Sequence, residues 1–140
     1  MVFVEFDESE YPIVRVKFNG SIRTDDDFLA FTNKWEELYD RGQEFIFMFD
    51  TSNMSFMGFK YCFRMSSFIN KLKKRDTQYL KRSIIYVNSR WTKFLLWIIF
   101  KIQSPVAPVY ITNIEDMDTL NDDLESGIAH NPDYVQLIEP

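Results

Sequence analysis

A group of polar residues that could bind a ligand or carry a modification follows an apolar run in the first half of the sequence. The run is Phe45–Phe49, and the polar residues behind it are Asp50, Thr51, Ser52, Asn53 and Ser55. A strand that is apolar at every position is typical of the centre of a parallel sheet, and ligands of such sheets bind beyond the carboxyl ends of the strands. These five residues are therefore predicted to bind a partner or to be phosphorylated. The alternative is that Asp50 and Ser52 only cap the turn and the helix behind it.

The residues needed for common catalytic and metal sites are scarce. His130 is the single histidine, Cys62 is the single cysteine, and the four glycines are scattered. A hydrolytic triad needs a histidine beside a nucleophile and a carboxylate, a zinc site needs several Cys or His ligands, and phosphate-binding loops need clustered glycines. The sequence therefore predicts a protein that is not an enzyme, that holds no cofactor or metal, and in which His130 is dispensable.

A second candidate surface is a helix predicted over Arg90–Gln103. Its apolar residues cover almost the whole circumference of the helix, although a helix on a sheet needs only one apolar stripe. The excess is expected to contact a partner, a ligand, a membrane surface or another part of the fold. Trp91 and Leu95 are predicted to bind a partner, with Trp91 at the surface and Trp97 in the core.

The charges are distributed unevenly along the chain. Residues 1–50 carry five basic and twelve acidic residues. Residues 51–101 carry eleven basic residues and one acidic residue, and residues 102–140 carry eight acidic residues and no Lys or Arg. The basic residues predicted to meet at one edge of the sheet and to bind an anionic lipid or an acidic protein surface are Lys71, Lys73, Lys74, Arg75, Lys81, Arg82 and Lys101. The alternative is that basic and acidic elements neutralise each other within the fold. Nucleic acid is not an expected partner, because aromatic residues are not interleaved with these charges.

The elements that position these residues follow from hydrophobic periodicity and capping signals. Val2–Phe6 and Ile13–Phe18 alternate apolar and polar residues, which predicts an antiparallel hairpin. Helices are expected over about Asp25–Arg41, from Met57 or Gly58 to Lys74, and over Arg90–Gln103 and Ile114–Glu125. Strands are expected over Phe45–Phe49, Ser83–Val87 and Val109–Thr112, and an edge strand or docked tail over Tyr134–Ile138. The order β-β-α-β-α-β-α-β-α predicts an α/β fold with a single, mostly parallel sheet and one domain over residues 1–140.

Length and composition predict a cytoplasmic protein without a membrane span. The single cysteine excludes an internal disulfide, which favours a reducing compartment. The first ten residues have no basic and apolar regions of a signal peptide. The most apolar run, Phe94–Phe100, has about a third of the length that a membrane-spanning helix needs.

The segment FIFMFDTSNMSFMGFKYCF, Phe45–Phe63, resembles the strand, loop and second helix of STAS domains, the anti-sigma-factor antagonists with the SpoIIAA-like fold. In that family a serine or threonine near the start of the helix is phosphorylated, and the matching position here is Phe59 or Lys60. The segment SIIYVNSRWTKFLLWIIFKI, Ser83–Ile102, is similar to a strand and apolar helix in the lipid-binding half of CRAL-TRIO domains. The STAS resemblance implies a regulatory module that binds a protein partner or a second copy of itself. The CRAL-TRIO resemblance implies that the chain binds lipid or an anionic membrane surface.

Overall fold

The computed structural model describes residues 2–140, apart from the side chain of Phe56. The strands are β1 (Val4–Glu10), β2 (Ile13–Ser21), β3 (Phe45–Phe56), β4 (Leu80–Tyr86), β5 (Val109–Thr112) and β6 (Val135–Ile138). The helices are α1 (Asp25–Asp40), α2 (Phe59–Lys73), α3 (Arg90–Ile102) and α4 (Met117–Glu125). The predicted element order is confirmed, and the tail after α4 forms a strand.

The six strands form one mixed sheet in the order β1-β2-β3-β4-β5-β6. Strands β2, β3, β4 and β5 run parallel to one another. The predicted N-terminal hairpin of β1 and β2 is antiparallel, and β6 also pairs antiparallel with β5. The expectation of a mostly parallel sheet thus describes the centre, while both edges are antiparallel.

The main core lies on the sheet face that α1, α2 and α3 cover. Phe45, Phe47 and Phe49 point to this face from β3, and Phe47 packs edge-to-face against Trp35 of α1 with ring centroids 5.2 Å apart. Leu95 of α3 belongs to the same buried cluster. The prediction that Phe45–Phe49 is a central strand buried on both faces is confirmed, because all five of its residues are buried between β2 and β4.

The opposite face of the sheet is covered by the short acidic helix α4. Arg82 of β4 donates a hydrogen bond of 2.6 Å to Asn121 of this helix, and Arg15 of β2 donates one of 2.6 Å to Asp118. α4 begins at Met117 rather than at the predicted Ile114, because Asp116 is the N-cap and accepts from the backbone N–H of Thr119. Three helices therefore lie on one face of the sheet and one lies on the other.

The polar segment after Phe49 is not the turn that its composition predicts. β3 continues to Phe56, and its extension pairs with the end of β2, where Asn19 lies opposite Asn53 and Gly20 lies opposite Met54. The register is irregular on both sides of this pairing, and the two strands continue past Tyr86, the last residue of β4. The backbone pairing satisfies the N–H and C=O groups of the polar residues and so overrides their preference for turns.

Candidate functional site

The first predicted site, from Asp50 to Ser55, lies in strand β3 and not in a loop. The carboxylate of Asp50 accepts hydrogen bonds from the backbone N–H of Ser52, at 2.9 Å, and from its hydroxyl, at 2.6 Å. Thr51 is buried and donates its hydroxyl to the carbonyl of Tyr86 on the neighbouring strand, at 2.7 Å. These contacts favour a structural role for Asp50, Thr51 and Ser52, and the expectation that Thr51 contacts a partner is wrong because no partner can reach it.

The two remaining residues of this segment, Asn53 and Ser55, are exposed. Asp50 and Thr51 are adjacent in β3 and point to opposite faces of the sheet. Bulges in β3 interrupt the alternation after them, and Met54 lines the same apolar cavity as Thr51. The polar group is therefore divided between the two sides of a two-stranded extension of β2 and β3, and it does not converge on one ligand.

The second predicted site, the basic cluster, is largely neutralised by acidic residues of the fold. Lys71 pairs with Glu36 at 3.0 Å, Arg75 pairs with Asp40 at 3.6 Å, and Lys73 donates a hydrogen bond to Ser104. Glu36 and Asp40 both belong to α1, which carries six acidic residues and one basic residue. Among the residues that the structure describes, only Lys74 and Lys101 of the predicted cluster form no ion pair or hydrogen bond within the fold.

Arg82 does not belong to a surface cluster at all. Its side chain lies under α4, 8% of the residue is exposed, and it donates hydrogen bonds to Asn121 and, at 2.7 Å, to Glu125. Lys81 lies 3.0 Å from the same carboxylate. The pKa of Glu125 lies below its ordinary value, mainly because Arg82 donates a hydrogen bond to the carboxylate and also because Lys81 does. The expectation that Arg82 binds an external anion is wrong, because Asn121 and Glu125 already occupy its donors.

Helix α3 carries large aromatic side chains on its outer side. Trp91, Phe94 and Trp97 are 40%, 43% and 55% exposed. Their rings form a continuous row, with centroids 5.7 Å apart between Trp91 and Phe94 and 6.0 Å apart between Phe94 and Trp97. Trp91 is at the surface as predicted, whereas the expectation that Trp97 is in the core is wrong. Leu95 is 1% exposed and packs on the sheet, so it cannot contact a partner as predicted.

Two aromatic side chains of α2 are exposed as well. Phe59 and Phe63 are both more than half exposed. Positions 59, 63 and 66 lie on one side of a helix, and the hydroxyl of Ser66 on this side donates to the carbonyl of Ile99 of α3 at 3.3 Å. The two phenylalanines are therefore on the side of α2 that faces α3.

A groove runs between α3 and the edge of the sheet formed by β5 and β6. It has a volume of about 660 Å³, and Phe94, Trp97 and Phe100 line it from the helix. Ile111, Gln136 and Ile138 line it from the two strands. Because β6 is the last strand of the sheet, the groove is open on the side away from α2. The term β6 groove is used below for this feature.

Three cations surround the aromatic row. Arg90, Lys93 and Lys101 all line the β6 groove and all are exposed. Neither α2 nor α3 contains an acidic residue, and the ion pairs found among residues 2–140 include none of these three cations. The term α3 face is used below for Arg90, Lys93, Phe94, Trp97 and Lys101. Of these five residues, only Lys101 is predicted from the sequence to bind a partner or ligand.

The helices also enclose a small apolar cavity. It has a volume of about 100 Å³, and its walls include Phe31, Trp35, Ile69 and Ile99 but expose no polar surface. An apolar cavity of about 150 Å³ holds one molecule of the size of benzene, which is much smaller than an acyl chain. The cavity in this structure is therefore too small to hold the acyl chain of a lipid.

The residues considered for catalysis lie apart from one another. His130 packs edge-to-face with Tyr110, with ring centroids 5.7 Å apart, on the side of the sheet that carries α4. Cys62 is buried under α2, and this burial raises the pKa of its thiol, which leaves it protonated at neutral pH. Among residues 2–140, no three His, Cys, Asp or Glu side chains are grouped so that they could hold a metal ion. None of the described helices has the length and apolar content to cross a membrane.

The positions of Trp97 and Leu95 lead to opposite expectations for stability. Replacing Trp97 by Ser should change the free energy of unfolding by less than about 1 kcal/mol, because substitutions at exposed positions have small effects. Replacing Leu95 by Ala should lower it by about 2–5 kcal/mol, since a buried leucine leaves a cavity. Urea denaturation of both variants measures the two changes, and a larger loss for Trp97→Ser than for Leu95→Ala would contradict the assignment of the two faces.

The geometry thus leaves one surface, the α3 face with the β6 groove, as the candidate binding site. In comparisons with family models, curated proteins and solved structures, nothing matches the chain.

Proposed function

We propose that this protein is a non-catalytic regulatory module that binds another protein through the α3 face. The observation that carries the proposal is the exposed row of Phe94 and Trp97, which is bordered by basic residues without acidic partners in the fold. Tryptophan and arginine are enriched among the residues that dominate the affinity of protein interfaces. Burial of apolar area contributes about 25 cal/mol per Å², so covering these rings would drive association.

The shape of the site favours a protein segment over a flat membrane surface. The rings of Phe94 and Trp97 border a groove whose opposite wall is formed by Gln136 and Ile138. A narrow element of a partner can enter this groove, whereas the surface of a bilayer cannot follow its floor. Protein interfaces combine an apolar centre with a polar rim in this way.

Binding to an anionic membrane surface is the second candidate function. It is favoured by the composition of α3, where Arg90, Lys93 and Lys101 lie beside tryptophan and phenylalanine on the exposed side. Helices that lie in the plane of a membrane interface combine these residue types, and each basic residue contributes about 1 kcal/mol near an anionic surface. In this arrangement the aromatic rings would enter the membrane interface, and the α3 face would bind lipid without a protein partner.

A STAS-like fold is part of the proposal. It is supported by the N-terminal hairpin, by the alternation of strands and helices and by the position of α2 directly after the central strand β3. The site proposed here differs from the phosphorylated position implied by the resemblance, because Phe59 and Lys60 at the start of α2 have no hydroxyl group. Regulation would therefore act through occupancy of the α3 face.

Photo-cross-linking in the cells that produce the protein tests the proposal. A photoreactive phenylalanine analogue at position 94 should form adducts with a protein partner, and the added Trp97→Ser substitution should reduce their yield at least tenfold. The same analogue at position 122, an exposed position of α4 on the opposite face of the sheet, serves as the control and should not give these adducts. Adducts with lipid alone at position 94 would favour the second candidate and overturn the first.

A further inference from the structure

The strand β6 has one edge that no other described strand covers. It pairs with β5 on one side through four residue pairs, from Val109 opposite Ile138 to Thr112 opposite Val135, and it is the last strand in the order of the sheet. The backbone N–H and C=O groups on the outer side of an edge strand can pair with an added strand. Extended peptides bind many protein domains in this way, because main-chain hydrogen bonds supply affinity and side-chain pockets supply specificity.

The β6 groove lies on the helix-covered side of this edge. Gln136 and Ile138 line the groove from β6, and Phe100 and Trp97 line it from α3. A strand added to β6 would place every second side chain on the same side of the sheet as Gln136 and Ile138. Those side chains would enter the groove, and the ones between them would face the side that carries α4.

The spacing of the lysines sets the charge pattern that such a strand should have. Lys93 and Lys101 both line the groove, and they are eight residues apart on α3, or about 12 Å at 1.5 Å per residue. A strand advances by about 3.3 Å per residue, so side chains at positions i and i+4 are about 13 Å apart and point to the same side. Acidic residues at i and i+4 would therefore match the two lysines.

The part of the groove between the two lysines is apolar. The aromatic rings of Phe94, Trp97 and Phe100 lie within this stretch of α3, and Ile111 and Ile138 line the groove from the strands. The residue at position i+2 of an added strand points to this side as well, midway between the two acidic residues. An apolar residue at that position would bury its side chain against the rings.

We propose that the partner of the α3 face is an extended segment that pairs with β6 and carries the pattern acidic-x-apolar-x-acidic. This inference rests on the proposed function, since it names the kind of protein segment that the α3 face would recognise. A second copy of this chain fits less well, because pairing of β6 with β6 would bring two sets of Arg90, Lys93 and Lys101 close together. Like charges at an interface oppose association.

Selection from a displayed library of random twelve-residue peptides on the purified protein tests the inference. Enriched peptides should contain Asp or Glu at i and i+4 and an apolar residue at i+2. The double substitution Lys93→Glu with Lys101→Glu should weaken a selected peptide at least tenfold and should shift a new selection to Lys or Arg at i and i+4. The substitution Lys74→Glu, at an exposed lysine outside the groove, is the matched control and should leave both results unchanged.

Backbone methylation distinguishes strand pairing from simple insertion into the groove. N-methylation at positions of the selected peptide whose amides face β6 should weaken binding at least tenfold, while N-methylation at the alternate positions should have little effect. Equal effects at both sets of positions, or enrichment of peptides without the i, i+4 spacing, would overturn the inference. If the inference fails in this way while position 94 still cross-links to a protein, the proposed function stands and only the partner's pattern is wrong. Binding to vesicles of phosphatidylglycerol and phosphatidylcholine without any peptide enrichment or protein cross-link would overturn both.

Discussion

Replacing Phe47 by Ala should lower the free energy of unfolding by about 3–5 kcal/mol, the range observed for truncation of buried aromatic residues. Phe47 is fully buried at the centre of β3. Its ring lies 5.2 Å from that of Trp35, 5.1 Å from that of Phe45 and 4.8 Å from that of Phe49. The substitution would therefore remove apolar contacts with α1 and with both same-face neighbours in the strand. Urea denaturation followed by far-UV circular dichroism measures the loss.

Phe63→Ala is the matched control, since it removes the same atoms from an exposed position. Phe63 of α2 is 56% exposed, and its truncation should change the free energy of unfolding by less than about 1 kcal/mol. The two variants together separate burial from the chemistry of the side chain. Equal losses for Phe47→Ala and Phe63→Ala would contradict the assignment of the main core to the face covered by α1, α2 and α3.

The sequence predicts the order of the elements well because each signal is local. Thr24 accepts from the N–H of Asp27 and the carboxylate of Asp27 accepts in return, so the capping box begins α1 where the polar residues indicate. Gly42 follows α1 with a φ of +68°, a conformation that favours glycine. Neither the capping box nor the conformation of Gly42 depends on the rest of the fold, and both can be predicted from a few adjacent residues.

The end of β3 could not be predicted from the sequence, because it depends on a strand that is distant along the chain. The composition of Asp50–Asn53 favours a turn, but β2 extends to Ser21 and offers backbone partners to Asn53 and Met54. Pairing between segments more than thirty residues apart leaves no local signal. For the same reason, the predicted polar site is divided between two faces of a strand.

The exposure of Trp97 did leave a signal in the sequence. Trp97 lies four residues after Lys93 and four before Lys101, and positions four apart lie on the same side of a helix. A residue with lysines on both sides along one helix face is expected to be near solvent. The position of Trp97 between the two lysines identifies the α3 face. This position is missed when only the directions of Trp91 and Trp97 on the helix are compared.

The uneven charges along the chain indicate that acidic residues can neutralise the basic cluster, but they do not indicate which residues form pairs. The acidic residues of α1 and α4 are numerous enough to neutralise a basic segment. Only the three-dimensional arrangement shows that Glu36 pairs with Lys71 of α2, that Asp40 pairs with Arg75 just after α2, and that Glu125 reaches β4. The three cations of the α3 face lie on the far side of α2 from α1, beyond the reach of these acids.

Replacing Arg82 by Ala should lower the free energy of unfolding by about 2–4 kcal/mol, as expected when a buried cation is removed from its partners. Asn121 is itself buried and would lose the hydrogen bond of 2.6 Å that Arg82 donates to its side-chain oxygen. An unsatisfied buried polar group costs about 1–3 kcal/mol. The aliphatic part of the arginine side chain would also leave a gap under α4.

Lys81→Ala is the control for this prediction, because Lys81 and Arg82 contact the same carboxylate oxygen of Glu125 at 3.0 Å and 2.7 Å. Lys81 is exposed, and an exposed ion pair contributes at most about 1 kcal/mol.

The pKa of Glu125 is lowered in the folded state. The contribution of the ionised carboxylate to stability is therefore complete above the ordinary pKa of 4.5 and is lost as the pH falls through the lowered value. The difference in stability between wild type and Arg82→Ala should therefore decrease in acid but not vanish, because the bond to Asn121 does not titrate. Urea denaturation at pH 7 and at pH 3 measures both effects, and equal losses for Lys81→Ala and Arg82→Ala at pH 7 would show that Arg82 is not part of the buried contact between β4 and α4.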